Sequence, residues 1–282
     1  MGVVLAAPVL VLIAALVFYP LGLGFNTSLR SVVLGYGLPE RFVGVRNYVN
    51  VLGDPETLSS VLRTARYVAI AVSIELVGGL AVALALNRPF RGRGLVIATL
   101  IIPWALPSVV SSVLWLRILN PSETGLLNSL LYQLNVIDSY KVWFNTNWAI
   151  FLISLVHVWG MLPFITLILF AGLQGIRADL YDAAAVDGAT TWAQFRQITL
   201  PLLRPAIAVA LTVGTVNAFS IFDEIYVLNG AALNTRSIMM QVYQTTFQKL
   251  DFGRGTALAL LMMVVTGVFA IGYVRGLRRV AQ

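Results

Sequence analysis

The stretch Gly172-Leu-Gln-Gly-Ile-Arg177-Ala-Asp179-Leu-Tyr181-Asp-Ala-Ala-Ala-Val-Asp187-Gly-Ala-Thr-Thr191-Trp-Ala-Gln194-Phe-Arg-Gln-Ile198-Thr-Leu-Pro201-Leu-Leu-Arg204 differs from the ordinary connectors of this chain. It encodes two short helices with a break between them. Asp179 stands where it can cap the first, and Tyr181-Asp-Ala-Ala-Ala-Val186 propagates it with strong helix formers. Gly188 then supplies the left-handed residue that ends a helix. Thr191 and Gln194 form a T-x-x-Q capping box for the second helix. Trp192, Phe195 and Ile198 recur every three residues, giving that helix an apolar face toward the membrane or neighbouring helix ends. Pro201 opens the next apolar run. Small side chains at 183–185 allow another protein's surface close to the backbone, with Asp182 and Asp187 as charge at the rim. On composition alone, the same segment also reads as a solvated, alanine-rich connector.

The flanking sequence decides what such a segment joins. Of 282 residues, 59% are hydrophobic and 11% charged, against about 25% charged in a soluble domain. A soluble enzyme, a disordered chain and a nucleic-acid-binding protein are excluded. A helix needs roughly 20 apolar residues to cross a ~30 Å hydrocarbon core. Six stretches qualify, at about 3–25, 67–86, 95–119, 148–169, 205–228 and 256–274. The expectation is an all-α polytopic membrane protein with six transmembrane helices, a single transmembrane domain over 1–282. The first run lacks a basic leader and an Ala-x-Ala cleavage pattern, so it reads as a retained helix.

Basic residues orient the spans. Segments 87–94, 172–204 and 275–282 hold nine Arg in 49 residues, whereas 30–66, 117–147 and 229–254 hold ten Arg or Lys in 94. The denser set, which includes the short Arg88/Arg91/Arg93 loop, is read as cytoplasmic. Both chain termini then lie in the cytoplasm, and 172–204 is a cytoplasmic loop. Trp143, Phe144 and Trp148 read as interfacial aromatics on the other side.

The pattern Asp182-Ala183-Ala184-x3-Gly188-x9-Ile198-x-Leu200-Pro201 resembles the EAA signature, E-A-A-x3-G-x9-I-x-L-P, of ABC importer permeases. Seven anchored positions share its spacing, and only Asp182 departs in residue, being one methylene shorter than the usual Glu. Within that family the chain is similar to carbohydrate importers of the maltose and glycerol-phosphate type. The likeness extends to Gly44-Val-Arg-Asn-Tyr48, Pro103-Trp-Ala-Leu-Pro-Ser108 and Phe222-Asp-Glu-Ile-Tyr-Val-Leu228. It implies the type I importer permease fold, and a coupling helix that docks in a cleft of an ATP-hydrolysing subunit through Tyr181, Asp182, Ala183, Ala184, Asp187 and Gly188. The implied partners are a second homologous permease, two ATP-binding subunits and an extracytoplasmic sugar-binding protein, in a bacterial or archaeal cytoplasmic membrane.

The energy source is read by elimination. A Walker A loop needs G-x4-G-K-[ST], yet the only lysines, Lys141 and Lys249, sit in no glycine-rich turn. The energy is therefore expected to come from another chain or from an ion gradient; the resemblance implies that this chain holds no catalytic residue, cofactor or metal of its own and that Mg-ATP is bound by partner subunits. The alternative, an ion-coupled sugar carrier, would use ionisable groups within the membrane. Four exist: Glu75, His157, Asp223 and Glu224. Glu75 also reads as a hydrogen-bond partner for a neighbouring helix, His157 as a packing residue, and Asp223 with Glu224 as wet groups at a span end.

A sugar path needs a few polar groups and aromatic faces, near the midplane where Pro or Gly break helices. Three clusters qualify. Trp104 and Ser108, at i and i+4, flank Pro107 in the third span; Trp159-Gly160-Met161-Leu162-Pro163-Phe164 lies in the fourth; Asn217, Ser220 and Glu224 share a stripe in the fifth, beside Asp223. The resemblance implies sugar contacts from these helices at Trp104, Ser108, Gly160, Met161, Phe164, Gly214, Asn217, Ala218 and Ile221. Lipid-belt and helix-packing roles for the same residues stay open.

Overall fold

The computed structural model describes residues 2–35, 39–144, 146–230 and 232–278. Arg279 and the rest of the C-terminal tail, which the charge pattern assigns to the cytoplasm, lie outside the described residues. Helix α1 (Gly2–Ser28) leads to a short antiparallel pair, β1 (Arg30–Ser31) and β2 (Arg41–Phe42), followed by α2 (Arg46–Leu52) and α3 (Pro55–Asn87). Next come α4 (Arg93–Ala105), α5 (Ser108–Ile118), α6 (Leu126–Gln133) and α7 (Ala149–Gln174). Helices α8 (Asp179–Val186) and α9 (Thr191–Gln194) occupy the following loop, and a π-helical turn at Phe195–Thr199 carries α9 into α10 (Leu200–Phe219). The chain continues through α11 (Asp223–Asn229), α12 (Ile238–Tyr243) and α13 (Phe252–Arg278).

Among the described residues, five helices are long and apolar enough to cross a membrane: Ala7–Ser28, Pro55–Asn87, Ala149–Gln174, Thr191–Phe219 and Phe252–Tyr273. The third expected span is not one helix. It is α4 and α5, meeting at 95° around Leu106 and Pro107, and counts as a sixth span only as a broken pair. Pro107 accounts for the break: it disfavours helical geometry at Leu106 (ψ 137) and is itself extended (ψ 138). Trp104 and Ser108 therefore stand on two helices rather than one face of one. The fifth expected span, 205–228, likewise ends at Phe219 and resumes as α11, because Phe222 leaves the helical region (φ −141, ψ −56). The stripe through Asn217, Ser220 and Glu224 is thereby cut.

The chain packs as two compact units, one up to Leu62 with Ile238–Val265, the other Arg63–Ser237 with the residues from Thr266 on. In the first, the Gly44–Tyr48 stretch secures the end of α1. Gly44 turns the chain at φ +55, buried Asn47 donates to the Ser28 and Arg30 carbonyls at 2.8 Å each, and Tyr48 meets Ser28 Oγ at 2.7 Å. Helix α1 leaves Val9 through Phe25 largely exposed, an apolar surface suited to lipid.

The second unit is built on α3, α7 and α10. Lipid tails are as apolar as leucine, so membrane helices gain from close approach more than from burial. Small residues supply that approach: Ala71, Ala83, Ala210 and Ala218 are buried, and a Cβ on Gly172 would lie 2.5 Å from Ala206 Cβ. One core joins Tyr67, Leu119, Phe144, Ile153, Ile221 and Ile225, so Phe144 is a core residue rather than an interfacial aromatic. Ser111 and Ser112 are buried as packing residues, with Ser112 Oγ bonded to the Ser108 carbonyl at 2.7 Å.

Candidate functional site

The 172–204 segment folds as two short helices around Gly188. At φ +80, Gly188 sends its N–H to Ala185 O (3.1 Å) while Ala189 N–H reaches Ala184 O (2.8 Å), the paired bonds of a Schellman cap. Its α-hydrogen faces open space, since an added Cβ would meet nothing within 4 Å. Asp182, Ala183, Asp187 and Gly188 are exposed, and Val186 is 88% exposed, leaving a face without intramolecular cover among the described residues.

The caps differ from the sequence expectation. Asp179 is the first helical residue, one past the N-cap position at Ala178; it binds Arg177 through both carboxylate oxygens, with Arg177 Nε to Oδ1 at 3.0 Å, and that guanidinium holds its carboxyl below the ordinary carboxylate range. The second helix is capped by Thr190, whose Oγ1 accepts from Ala193 N–H at 3.3 Å, so the cap falls one residue before Thr191. Gln194 reaches the Tyr181 carbonyl instead, at 3.5 Å. Tyr181 OH meets Thr199 Oγ1 at 2.9 Å and fixes α8 to the π turn. That turn lies just before Pro201, whose missing N–H and bulky ring disturb the regular ladder. Trp192 stacks on Phe195 with ring centroids 5.4 Å apart but is itself exposed, and the two border a cleft of about 560 Å³ with Leu84, Arg88, Leu173 and Tyr181.

The expected path residues separate into two groups. Trp104 and Phe164 lie parallel, 4.8 Å between centroids and 7° between planes, although Trp104 is still 44% exposed. Ser108, first residue of α5, donates to the carboxylate of Asp223, first residue of α11, so the contact bridges the two helix breaks. Gly160, Met161 and Phe164 are half-buried on α7. Asn217 and Ser220 are exposed but bond carbonyls of their own helix, Val213 O and Val216 O, at 3.0 Å each. Gly214, Ala218 and Ile221 instead face inward: Ala218 packs with Ala71 and Val158, Ile221 with Tyr67 and Ile153. Ile221's carbonyl, freed by the helix break, accepts Ser237 Oγ at 2.8 Å.

The structure also draws Glu224 out of its expected path stripe and into a cluster with two ionisable residues outside the path. Glu75 on α3, His157 on α7 and Glu224 on α11 are all buried, with His157 Nδ1 2.9 Å from Glu224 Oε1 and Nε2 3.7 Å from Glu75 Oε1. Glu224 is therefore not a wet group, and both Glu75 oxygens lack a hydrogen-bond partner among the described residues. Ionisable residues inside apolar runs were the visible signal; their convergence from three helices was not. Among the described residues no group of three or more His, Cys, Asp or Glu has the arrangement to hold a metal ion.

Apolar spans, two broken helices joined by a polar contact, and an exposed two-helix loop are those of a polytopic membrane protein. Residues 76–281 match the family described as "Binding-protein-dependent transport system inner membrane component". The chain is 38% identical to the trehalose/maltose transport system permease protein MalF of Thermococcus litoralis, over 98% of this chain and 92% of that protein. It is 36% identical to the sulfoquinovosyl glycerol transport system permease protein SmoG of Agrobacterium fabrum, over 99% and 90%. It is 34% identical to the trehalose transport system permease protein SugA of Mycobacterium tuberculosis, over 96% and 86%. A chain from the crystal structure of a bacterial ABC transporter importing the acidic polysaccharide alginate shares its fold, with a TM-score of 0.82 at 20% identity, covering 98% of this chain and 94% of that one. The chain belongs to the binding-protein-dependent transport system inner membrane component family and is an ABC importer permease subunit.

Proposed function

We propose that this permease forms half of the path of an ATP-driven sugar importer, paired with a second homologous permease, two ATP-binding subunits and an extracytoplasmic sugar-binding protein. The Asp182–Gly188 helix is its coupling element. The observation that carries this reading is the exposed helix itself, closed by a left-handed glycine and held to the bundle by Tyr181. Movement of a bound motor is transmitted through Tyr181 and Thr199 into α10 and on to the break at Ser220–Phe222. Mg-ATP stays with the motor subunits. Loop 172–204 and both termini lie in the cytoplasm of a bacterial or archaeal cell.

Sugar passes beside the Trp104–Phe164 stack and the Ser108–Asp223 contact, where aromatic faces and polar groups adjoin two broken helices. Trehalose- and maltose-type sugars are the first substrates to try, given the relatives. The test uses the absence of cysteine from the chain. A single cysteine at Ala183, carrying a photoreactive probe, is expected to cross-link to the ATP-binding subunit in the assembled importer. Labelling of lipid alone would overturn the coupling assignment. The ion-coupled alternative draws on the buried Glu75, His157 and Glu224; it requires sugar uptake by this chain alone in liposomes, abolished by an ionophore.

A further inference from the structure

Glu75, His157 and Glu224 have no part in the proposed path, yet their geometry is uneven. The imidazole bonds Glu224 through Nδ1 at 2.9 Å, while Nε2 stops 3.7 Å short of Glu75. His157 Nε2 and both Glu75 oxygens have no hydrogen-bond partner among the described residues, and Glu75 is only 1% exposed. Idle buried polar groups are costly, and a ring movement of under about an ångström would bring Nε2 and Glu75 Oε1 into the ~2.7–3.2 Å range of a hydrogen bond. The space around Glu75 is also shaped for it, because a Cβ on Gly214 would stand 2.8 Å from Oε2. A single imidazole thus has two carboxylate seats, one occupied and one prepared.

The occupied seat matters for what adjoins it. Glu224 lies in the first turn of α11, directly after the helix break, and its neighbour Asp223 holds Ser108 at the start of α5. We propose that His157 is a positioning residue that alternates between Glu224 and Glu75 during transport. Seated on Glu224, it fixes the first turn of α11 and keeps the starts of α5 and α11 together, where Ser108 meets Asp223. Seated on Glu75, it releases that turn and opens the contact. The significance of the opening for sugar rests on the path proposed above; the seat exchange itself does not.

Cysteines at positions 108 and 223 (S108C with D223C), in the assembled importer and in this otherwise cysteine-free chain, give a readout that needs no sugar. A short bis-methanethiosulfonate reagent should cross-link them efficiently without nucleotide, and several-fold less with ATP and vanadate. Glu224→Ala should give the low yield under both conditions. Glu75→Ala should keep the high yield under both, and Glu75→Gln, which retains one acceptor oxygen, should recover at least half of the ATP-dependent fall. Glu75→Leu fills the same space without an acceptor and must behave as Glu75→Ala does, which covers a failure of the alanine variant to assemble. Wild-type behaviour of Glu75→Ala or Glu75→Leu, or an unchanged yield in Glu224→Ala, overturns the exchange. Separately, Glu75→Ala should lower the maximal trehalose or maltose uptake rate about tenfold with KM within twofold. Trp104→Ala should instead raise KM; an unchanged KM there would remove the path reading and leave the cross-linking result to stand on its own.

Discussion

The exposed helix at Asp182–Gly188 and the buried group at Glu75, His157 and Glu224 carry their chemistry in opposite ways. In the first, the residues are neighbours in sequence, their conformation is set by local rules, and their partner lies outside the chain. In the second, the residues come from three helices and their partners are one another. A surface element tolerates change wherever its backbone and outward face survive. A buried polar group in low dielectric tolerates little, because each lost partner leaves another stranded.

The sharpest way to break the comparison is Gly188→Val. Holding a β-branched residue at φ +80 costs roughly 1–2 kcal/mol, and the new side chain would project into the docking face. Uptake and substrate-stimulated ATP hydrolysis should fall more than about tenfold, with immunoblots showing normal membrane insertion; intact coupling in that variant would refute the docking role. Next, Gly214→Ala should lower stability by about 1–3 kcal/mol, as overpacking does, since its methyl meets Glu75 Oε2 at 2.8 Å. Thermal unfolding of the detergent-solubilised importer should show partial recovery when Glu75→Asp is added, and no recovery would mean that the two do not share the space. Tyr181→Phe removes the bond to Thr199, worth about 1 kcal/mol, and should weaken coupling a few-fold without affecting assembly. Smallest is the pair of cap variants: Thr190→Ala should cost about 1 kcal/mol, whereas Thr191→Ala should stay within roughly 0.5 kcal/mol. A larger loss at Thr191 would restore it as the cap.

Those caps show where local reading reaches its limit. The Gly188 break was legible because a left-handed helix end favours glycine for steric reasons. Thr190 and Thr191 have the same side chain, and only the backbone geometry distinguishes them: Thr190 has the extended ψ of 159 that a cap needs. The apolar runs predicted the spans but not their interruptions. Pro107 signalled one break in advance; the break at Ser220–Phe222 contains no proline or glycine, and its freed carbonyl is met by Ser237, distant in sequence. Trp104 and Phe164 were separate aromatic candidates until packing laid one ring on the other.

By itself, the order of residues determined the solvent this chain requires, the rough position of each span and the two-helix form of the 172–204 loop, since hydrophobic run length, charge density and glycine geometry act over a few turns of chain. Only the folded structure decided which ionisable groups meet, which expected path residues face inward, and that the fifth span breaks at Ser220–Phe222. Those outcomes depend on distances between helices far apart in sequence, where a gap of less than an ångström separates a hydrogen bond from an idle acceptor.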